Sequence, residues 1–316
     1  PVIKRPTAYN QFAFQGKDNT NAGVYLNYSI NNFTFFSEAA RSVSGGMALV
    51  AGTMASLHPS FDIALLYRKY DRNFYSFYAN AFSENTLPQN ETAFYWGWKY
   101  RWNRKYGMSG YVDQFKFPWL GFRRYAPAHG YEWLLRFNYQ PNRKTMMFVQ
   151  AREESKPRNR SEENALYHVL QGKKRNFWLA AHYGIGEYLK FKSRIQYSTF
   201  SMNNHTSEGV ALLQDISVTI GKLQVTARHA LFDTDDFDNR QYVYENDVWL
   251  AFSLPAYEGK GVRNYVLVEY KVNGHLSLWL RYARTRYTDR EEIGSGMDEI
   301  EGNTKNDLKF QALFKF

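Results

Sequence analysis

An all-β fold, set out as a transmembrane antiparallel β-barrel of about sixteen strands, or about eighteen as the alternative, is predicted by three observations. Segments of about ten residues alternate greasy and polar side chains along nearly the whole chain, the period of a strand with one face in oil and the other in water. The 316 residues are 44% hydrophobic at a mean hydropathy of -0.58, and no run approaches the roughly 18 uninterrupted apolar residues that a membrane helix needs. Aromatic residues make up 18% of the chain, with 25 Tyr, 24 Phe and 8 Trp. Tyr and Trp carry an apolar body and a polar tip and settle at membrane interfaces, where barrels form aromatic girdles.

The alternation is plain in individual segments. Phe94, Trp96, Trp98 and Tyr100 alternate with Tyr95, Gly97, Lys99 and Arg101. Tyr131, Trp133, Leu135, Phe137 and Tyr139 alternate with Glu132, Leu134, Arg136, Asn138 and Gln140. Leu189, Phe191, Ile195 and Tyr197 alternate with Lys190, Lys192, Arg194 and Gln196, and Val266, Val268, Tyr270 and Val272 with Tyr265, Leu267, Glu269 and Lys271. In the last segment Leu308, Phe310, Ala312, Phe314 and Phe316 share one parity, and Lys309, Gln311 and Lys315 take the other, with Leu313 the exception. In a membrane barrel the greasy parity faces lipid. In a soluble sandwich the same parity is the core. Period two alone does not separate these cases; the aromatic load favours the membrane.

Turns fall into two kinds. Asn31-Asn32, Trp102-Asn103-Arg104, Pro141-Asn142-Arg143, Gly184-Ile185-Gly186, Gly221 and Asn273-Gly274 are short, and Asn-Gly is a strong hairpin signal. Residues 71–90, 117–129, 155–164, 200–206, 233–241 and 288–304 read as long loops. Short turns on the periplasmic side and long loops outside are the pattern of outer-membrane barrels. Residues 165–184 and 242–272 each read as one crossing, the second with an insertion around residues 255–261. The whole chain is expected to be one domain, 1–316, and Pro1 to lie inside a longer protein.

The formal net charge is +10. Arg68, Lys99, Arg101, Arg136, Lys190, Lys192, Arg194, Arg228, Arg263, Lys271 and Arg281 fall on the polar parity, against Glu38, Asp62, Glu132, Glu245, Asp247 and Glu269. A lumen rich in Arg and Lys favours anions. The competing reading is a salt-bridge network that fills the lumen, with Glu132 or Asp62 neutralising the cations of the Lys190–Arg194 strand. The absence of cysteine excludes disulfides and thiolate metal sites and suits the periplasm or outer membrane. Asp233, Asp235, Asp236 and Asp238 crowd hard oxygen ligands into one external loop, a calcium candidate. An EF-hand loop, however, needs Gly at its sixth and Glu at its twelfth position, and Asp238 and Tyr244 stand there. The alternative is a solvated acidic loop. The second acidic loop, from Asp289 to Glu301, is weaker. The seven His residues show no paired ligand spacing. His275 and Ser277 share a strand face, but a nucleophile also needs an orienting third group, so the chain reads as a non-enzyme.

The runs Phe35-Phe36-Ser37-Glu38-Ala39-Ala40-Arg41, Tyr111-Val112-Asp113-Gln114-Phe115-Lys116-Phe117-Pro118-Trp119, Gly130-Tyr131-Glu132-Trp133, Phe232-Asp233-Thr234-Asp235, Tyr244-Glu245-Asn246-Asp247-Val248 and Ile293-Gly294-Ser295-Gly296 are distinctive together. They resemble the barrel region of a family of large Bacteroidota outer-membrane proteins. In that family a periplasmic helix-hairpin-helix region, related to competence-type DNA-binding domains, precedes the barrel. This chain lacks that region, so the resemblance places DNA binding on no residue here. It implies an integral outer-membrane location in contact with the bilayer and lipopolysaccharide. Further implied partners are other outer-membrane or periplasmic proteins, and nucleic acid through the missing domain. The terminal aromatic residue looks like the closing-strand assembly signal of such barrels, which gives Phe316 that role. The expected function is a pore or translocation module for an anionic solute or polymer, with DNA uptake as one form. The alternatives are a plugged structural subunit of an outer-membrane secretion or assembly complex and, least favoured, an enzyme similar to the outer-membrane phospholipases, which orient a His and a Ser with an Asn.

Overall fold

The computed structural model describes residues 7–159 and 168–315. Phe316, the expected assembly signal, and residues 160–167, which take in the end of the expected loop 155–164 and the start of the expected crossing 165–184, lie outside them; residues 155–159 of that loop belong to a strand instead. The strands are β1 (Asn21–Ile30), β2 (Phe33–Ser42), β3 (Met47–His58), β4 (Phe61–Tyr70), β5 (Glu91–Arg101), β6 (Tyr106–Phe117), β7 (Ala128–Asn142), β8 (Thr145–Asn159), β9 (Val169–Ile185), β10 (Leu189–Met202), β11 (His205–Ile220), β12 (Leu223–Thr234), β13 (Gln241–Tyr242), β14 (Ala256–Tyr257), β15 (Lys260–Lys271), β16 (Leu276–Tyr287), β17 (Glu292–Ile293), β18 (Ile300–Glu301) and β19 (Thr304–Phe314). Fifteen of them form one antiparallel sheet in chain order, β1 to β12 followed by β15, β16 and β19. The short pairs β13–β14 and β17–β18 are separate hairpins in the last two long loops.

Turn chemistry sets the local registers. Ile220 pairs with Leu223 across Gly221-Lys222, with Gly221 at φ 57°. Ile30 pairs with Phe33 across Asn31-Asn32, with Asn31 at φ 49°. Asn273 closes the turn between β15 and β16: its side-chain oxygen accepts from the backbone N–H groups of His275 and Leu276. One expected long loop, 200–206, is instead a tight turn. Asn203 and Asn204 both adopt positive φ (46° and 60°), the conformation that two-residue hairpin turns require and Asn tolerates. Residues 165–184 and 242–272 each contribute a single crossing, β9 and β15, as expected. Among the described residues the sheet has fifteen long strands against about sixteen expected. Residues 7–20 form a 3₁₀ turn at Ala8–Asn10 and irregular chain.

Burial runs opposite to that of a water-soluble sandwich. The largest side chains with almost no exposure include Arg68, Arg281, Gln196, Glu91 and Glu245. The greasy parity is exposed: Phe94, Trp96, Leu135, Phe137, Ile195 and Val266 are surface residues, and Leu308, Phe310 and Phe314 are 71%, 68% and 63% accessible. A surface this apolar is suited to lipid. Leu313, the exception in the last segment, lies on the polar side and packs on a small cluster of Tyr265, Leu267, Trp279 and Ala283.

The chain divides into two compact units. The first holds the described residues of 1–136, 152–173 and 201–204; the second holds 137–151, 174–200 and 205–315. Each carries its own buried polar cluster.

Candidate functional site

In the second unit the chain leaves β12, makes a 3₁₀ turn at Phe237–Asn239, and forms a hairpin over residues 241–257 that seats on the polar face of the sheet. Gln241 pairs with Tyr257 and Tyr242 with Ala256; Val243 N–H donates to Pro255 O (3.2 Å) and Glu245 N–H to Ser253 O (3.0 Å). Period two again sets the faces. Gln241, Val243, Glu245 and Tyr257 are buried, while Tyr242, Tyr244, Phe252 and Leu254 are exposed.

The buried face is held by charge. Glu245 accepts from Arg263 Nε and Nη2 (2.7 and 2.9 Å), from Arg281 Nη2 and from the Tyr257 hydroxyl (2.8 Å). Asp247 accepts from Lys309 Nζ (2.7 Å) and lies 3.8 Å from Arg281, whose other side is 3.8 Å from Asp307. Three carboxylates thus meet three cations. Arg228 is held bidentately by Asp215 (2.5 and 2.6 Å) and donates to Tyr244 O (2.7 Å). The Tyr265 ring lies about equally far from the Arg228 and Arg281 guanidiniums, 5.3 and 5.2 Å, in reach of cation–π attraction. At the hairpin base the pinning is neutral: Gln241 donates to Ser198 Oγ (2.6 Å), Ser198 to Asn239 Oδ1 (2.9 Å), and Asn239 to Ser207 Oγ (2.6 Å). Burial alone would raise the pKa of Glu245, but the hydrogen bonds and charge of Arg263, with Tyr257 and Arg281, hold it below the usual carboxylate range. Burial opposes ionisation of Asp247 too, and the bond from Lys309 brings it below its ordinary value.

In the first unit the loop 71–90 is held the same way. Arg68, fully buried, donates to Glu91 (2.6 Å) and bidentately to Asp113 (2.9 and 2.9 Å). Glu91 also accepts from the backbone N–H groups of Glu84 and Asn85, which draws the loop inward. From Glu84 a chain of pairs runs through Lys156 (2.7 Å), Glu154 (3.0 Å) and Arg152 (2.7 Å) to Glu132, which accepts from the Tyr111 hydroxyl.

These contacts revise the sequence reading of the basic residues. Arg68, Arg228, Arg263 and Arg281 are not open to a passage; each is neutralised by a carboxylate. Arg101 lies 4.0 Å from Asp62 and Lys271 3.8 Å from Glu269, both pairs being weaker and exposed. Arg194 lies over the Trp178 ring at 5.0 Å, and Arg136 is half-buried. Lys99, Lys190 and Lys192 are exposed and make no ion pair among the described residues. Glu132 and Asp62, the expected neutralisers of the Lys190–Arg194 strand, serve Arg152 and Arg101 instead.

The calcium candidate also disperses. Asp233 pairs with Lys260 (3.2 Å), and Asp235 accepts from Glu208 N–H. Asp236 caps the 3₁₀ turn by accepting from Asn239 N–H and lies 3.3 Å from His205, and the Asp238 carbonyl accepts from Lys174. Among the described residues no group of three or more His, Cys, Asp or Glu is placed to hold a metal ion. His275 Nδ1 donates to Lys315 O (2.9 Å), so that nitrogen is not available to Ser277.

Sequence reasoning missed Asp215, Asp113, Glu91, Arg152 and Tyr257. Asp215 was within reach: the Gly221-Lys222 turn fixes 220 opposite 223, and stepping back five pairs sets Asp215 opposite Arg228. Arg152 was within reach too, since it meets Glu132 across the short turn that joins β7 to β8; Glu91, Asp113 and Tyr257 depend on a pairing across a long loop or on a folded-in loop.

No protein-family model and no curated protein sequence matches the chain. Among solved structures it is similar to the siderophore receptor PiuA of Acinetobacter baumannii, at a TM-score of 0.51 and 9% identity, covering 93% of this chain and 57% of that one. It is also similar to a loop-deleted form of the Vibrio cholerae outer-membrane protein OmpT, at 0.49 and 12% identity over 93% and 89% of the two chains. A third is the anion-selective porin of Comamonas acidovorans, at 0.41 and 8% over 94% and 100%. At these identities the likeness is one of fold, and the fold is that of transmembrane outer-membrane β-barrel proteins.

Proposed function

We propose that the protein is an integral outer-membrane pore or translocation module for anionic solutes or polymers, in which the hairpin 241–257 narrows or gates the passage. The observation that carries this reading is the charge arrangement of the second unit. The hairpin brings Glu245 and Asp247 to cancel Arg263, Arg281 and Lys309 on the strands. Lys190 and Lys192 stay exposed without acidic partners among the described residues. A seated hairpin narrows the space beside the sheet, and uncompensated lysines raise the local concentration of anions. The apolar outer parity and the likeness of fold support the outer-membrane location.

A second reading, a structural subunit with a sealed lumen, is favoured by the depth of that charge cluster, in which Arg281 and Glu245 have no exposure. Planar-bilayer recording separates the two. The pore reading expects anion-selective conductance that weakens or reverses in Lys190→Glu with Lys192→Glu, and a preference that shrinks as salt screens the fixed charges. Cation selectivity in the parent protein would overturn the anion pathway. Silence in the parent and in a hairpin-loosened Glu245→Ala variant would establish the structural subunit instead.

A further inference from the structure

At the long-loop end of the first unit lies a pocket of about 260 Å³ that the pore reading does not use. Its walls come from residues 8–13, from the loop 71–90 and from the segment after β6, and they are stitched together. Gln89 donates to Phe12 O (3.1 Å), and the Tyr75 hydroxyl donates to the same carbonyl (2.9 Å). Asn90 accepts from Trp119 N–H (2.8 Å) and donates to Trp119 O (2.9 Å). The amides are spent on holding the walls.

Two guanidiniums line this pocket, Arg72 and Arg124, and no carboxylate is among its described lining residues. Arg72 lies over Phe12 (4.2 Å) and Trp119 (5.2 Å), and Arg124 over Phe117 (3.4 Å). Neither side chain makes a hydrogen bond or ion pair among the described residues, and Arg124 Nε is buried with no partner. A half-buried guanidinium with a sealed, unpartnered Nε and no acid is costly to the fold; burial brings the pKa of Arg124 down to about 10, against an opposing pull from Glu91. Glu91 offers no contact, because its oxygens serve Arg68 and the backbone of the loop. The backbone is built around the guanidinium. Gly121 and Arg124 exchange backbone hydrogen bonds (2.8 and 3.0 Å) across a tight turn that holds Arg123 at φ 58°. A Cβ at position 121 would come within 2.7 Å of Arg124 Nη2, so glycine leaves the space that the guanidinium occupies.

We infer that this pocket binds a phosphate-type dianion between Arg72 and Arg124. Two fixed positive charges match the roughly two negative charges of a phosphate monoester at neutral pH. The planar N–H forks suit its oxygens, and the Trp119 and Phe12 rings, packed edge to face at 5.4 Å, provide apolar contact for the group that carries it. The phosphate has two available sources, a soluble monoester or the headgroup of a membrane lipid.

Calorimetry on the full chain in detergent, in phosphate-free buffer at fixed ionic strength, tests this with inorganic phosphate and glycerol 3-phosphate. Nanodiscs of phosphatidylcholine with and without phosphatidic acid supply the lipid arm. Saturable one-to-one binding is expected, weakened at least tenfold in Arg124→Gln and in Arg72→Gln. Gly121→Ala, which keeps both charges but crowds Arg124, should weaken it as well. Retention of phosphatidic acid without binding of the soluble probes would assign the headgroup as the source. Absence of saturable binding in both arms would overturn the inference. So would parent-like affinity in Arg72→Gln, whose exposed side chain makes that variant the one least able to disturb folding. Because no current is measured, failure here leaves the pore reading standing, and failure of the pore reading leaves the pocket standing.

Discussion

Replacing Glu245 by Ala removes one carboxylate from two guanidiniums and a tyrosine hydroxyl at once. Breaking a buried pair by deleting one partner costs about 3–5 kcal/mol. Two features place this site at the lower end. Arg263 keeps its bond to Thr285 (2.6 Å), and Arg281 keeps Asp247 and Asp307 at 3.8 Å and the Asn246 carbonyl at 3.1 Å. A loss of about 3 kcal/mol shifts the equilibrium between seated and released hairpin by roughly 150-fold. The strands keep their ladders, so release is expected to be local. The absence of cysteine gives a clean reporter. Val243 has no exposure, and in a Val243→Cys background the thiol reacts with a maleimide only when the hairpin lifts. Glu245→Ala should raise the labelling rate about 150-fold in the regime where reclosing outpaces reaction. Ala93→Cys, buried in the first unit, should be unaffected. If Glu245→Ala leaves the labelling rate within threefold of the Val243→Cys background, the charge cluster does not hold the hairpin and the gating argument fails.

Two further outcomes follow from the same physics. Glu245 and Asp247 have folded pKa values below their ordinary ones, so the stability they contribute is complete above the ordinary carboxylate range and is lost as pH falls through the depressed values. Fluorescence of the Trp249–Trp279 stack, at 6.1 Å, should therefore hold steady from pH 8 to 6 and change only under acid conditions; a transition near neutrality would contradict the assignment. On the exposed parity of β19, Phe310→Arg should destabilise the protein folded in lipid vesicles by about 2–4 kcal/mol if it sits near the bilayer midplane, and Gln311→Arg by clearly less. Equal losses on denaturant titration would mean that the greasy parity does not face lipid.

Period-two physics determined much in advance. Alternation is written residue by residue, because successive strand side chains point to opposite faces whatever the strand pairs with. The exposed row of Leu308, Phe310 and Phe314 and the polar-face position of Lys309 could thus be read from the chain, as could two-residue turns such as Asn31-Asn32 and, through Gly221-Lys222, the Asp215–Arg228 pair. Only the tertiary structure decided which of these charges are free. Arg281 reads from sequence as one more lumen cation, yet it meets Glu245 from a hairpin 36 residues away in sequence. Arg68 meets Asp113 across 45 residues and a long loop. A long loop carries no register, so nothing local says whether it projects into water or folds back onto the sheet. That choice rests on whether its acidic residues find buried cations to neutralise, a property of two distant segments together. The Arg72–Arg124 pocket has the same origin: three segments remote in sequence build it, and what marks it is the acid that none of them supplies.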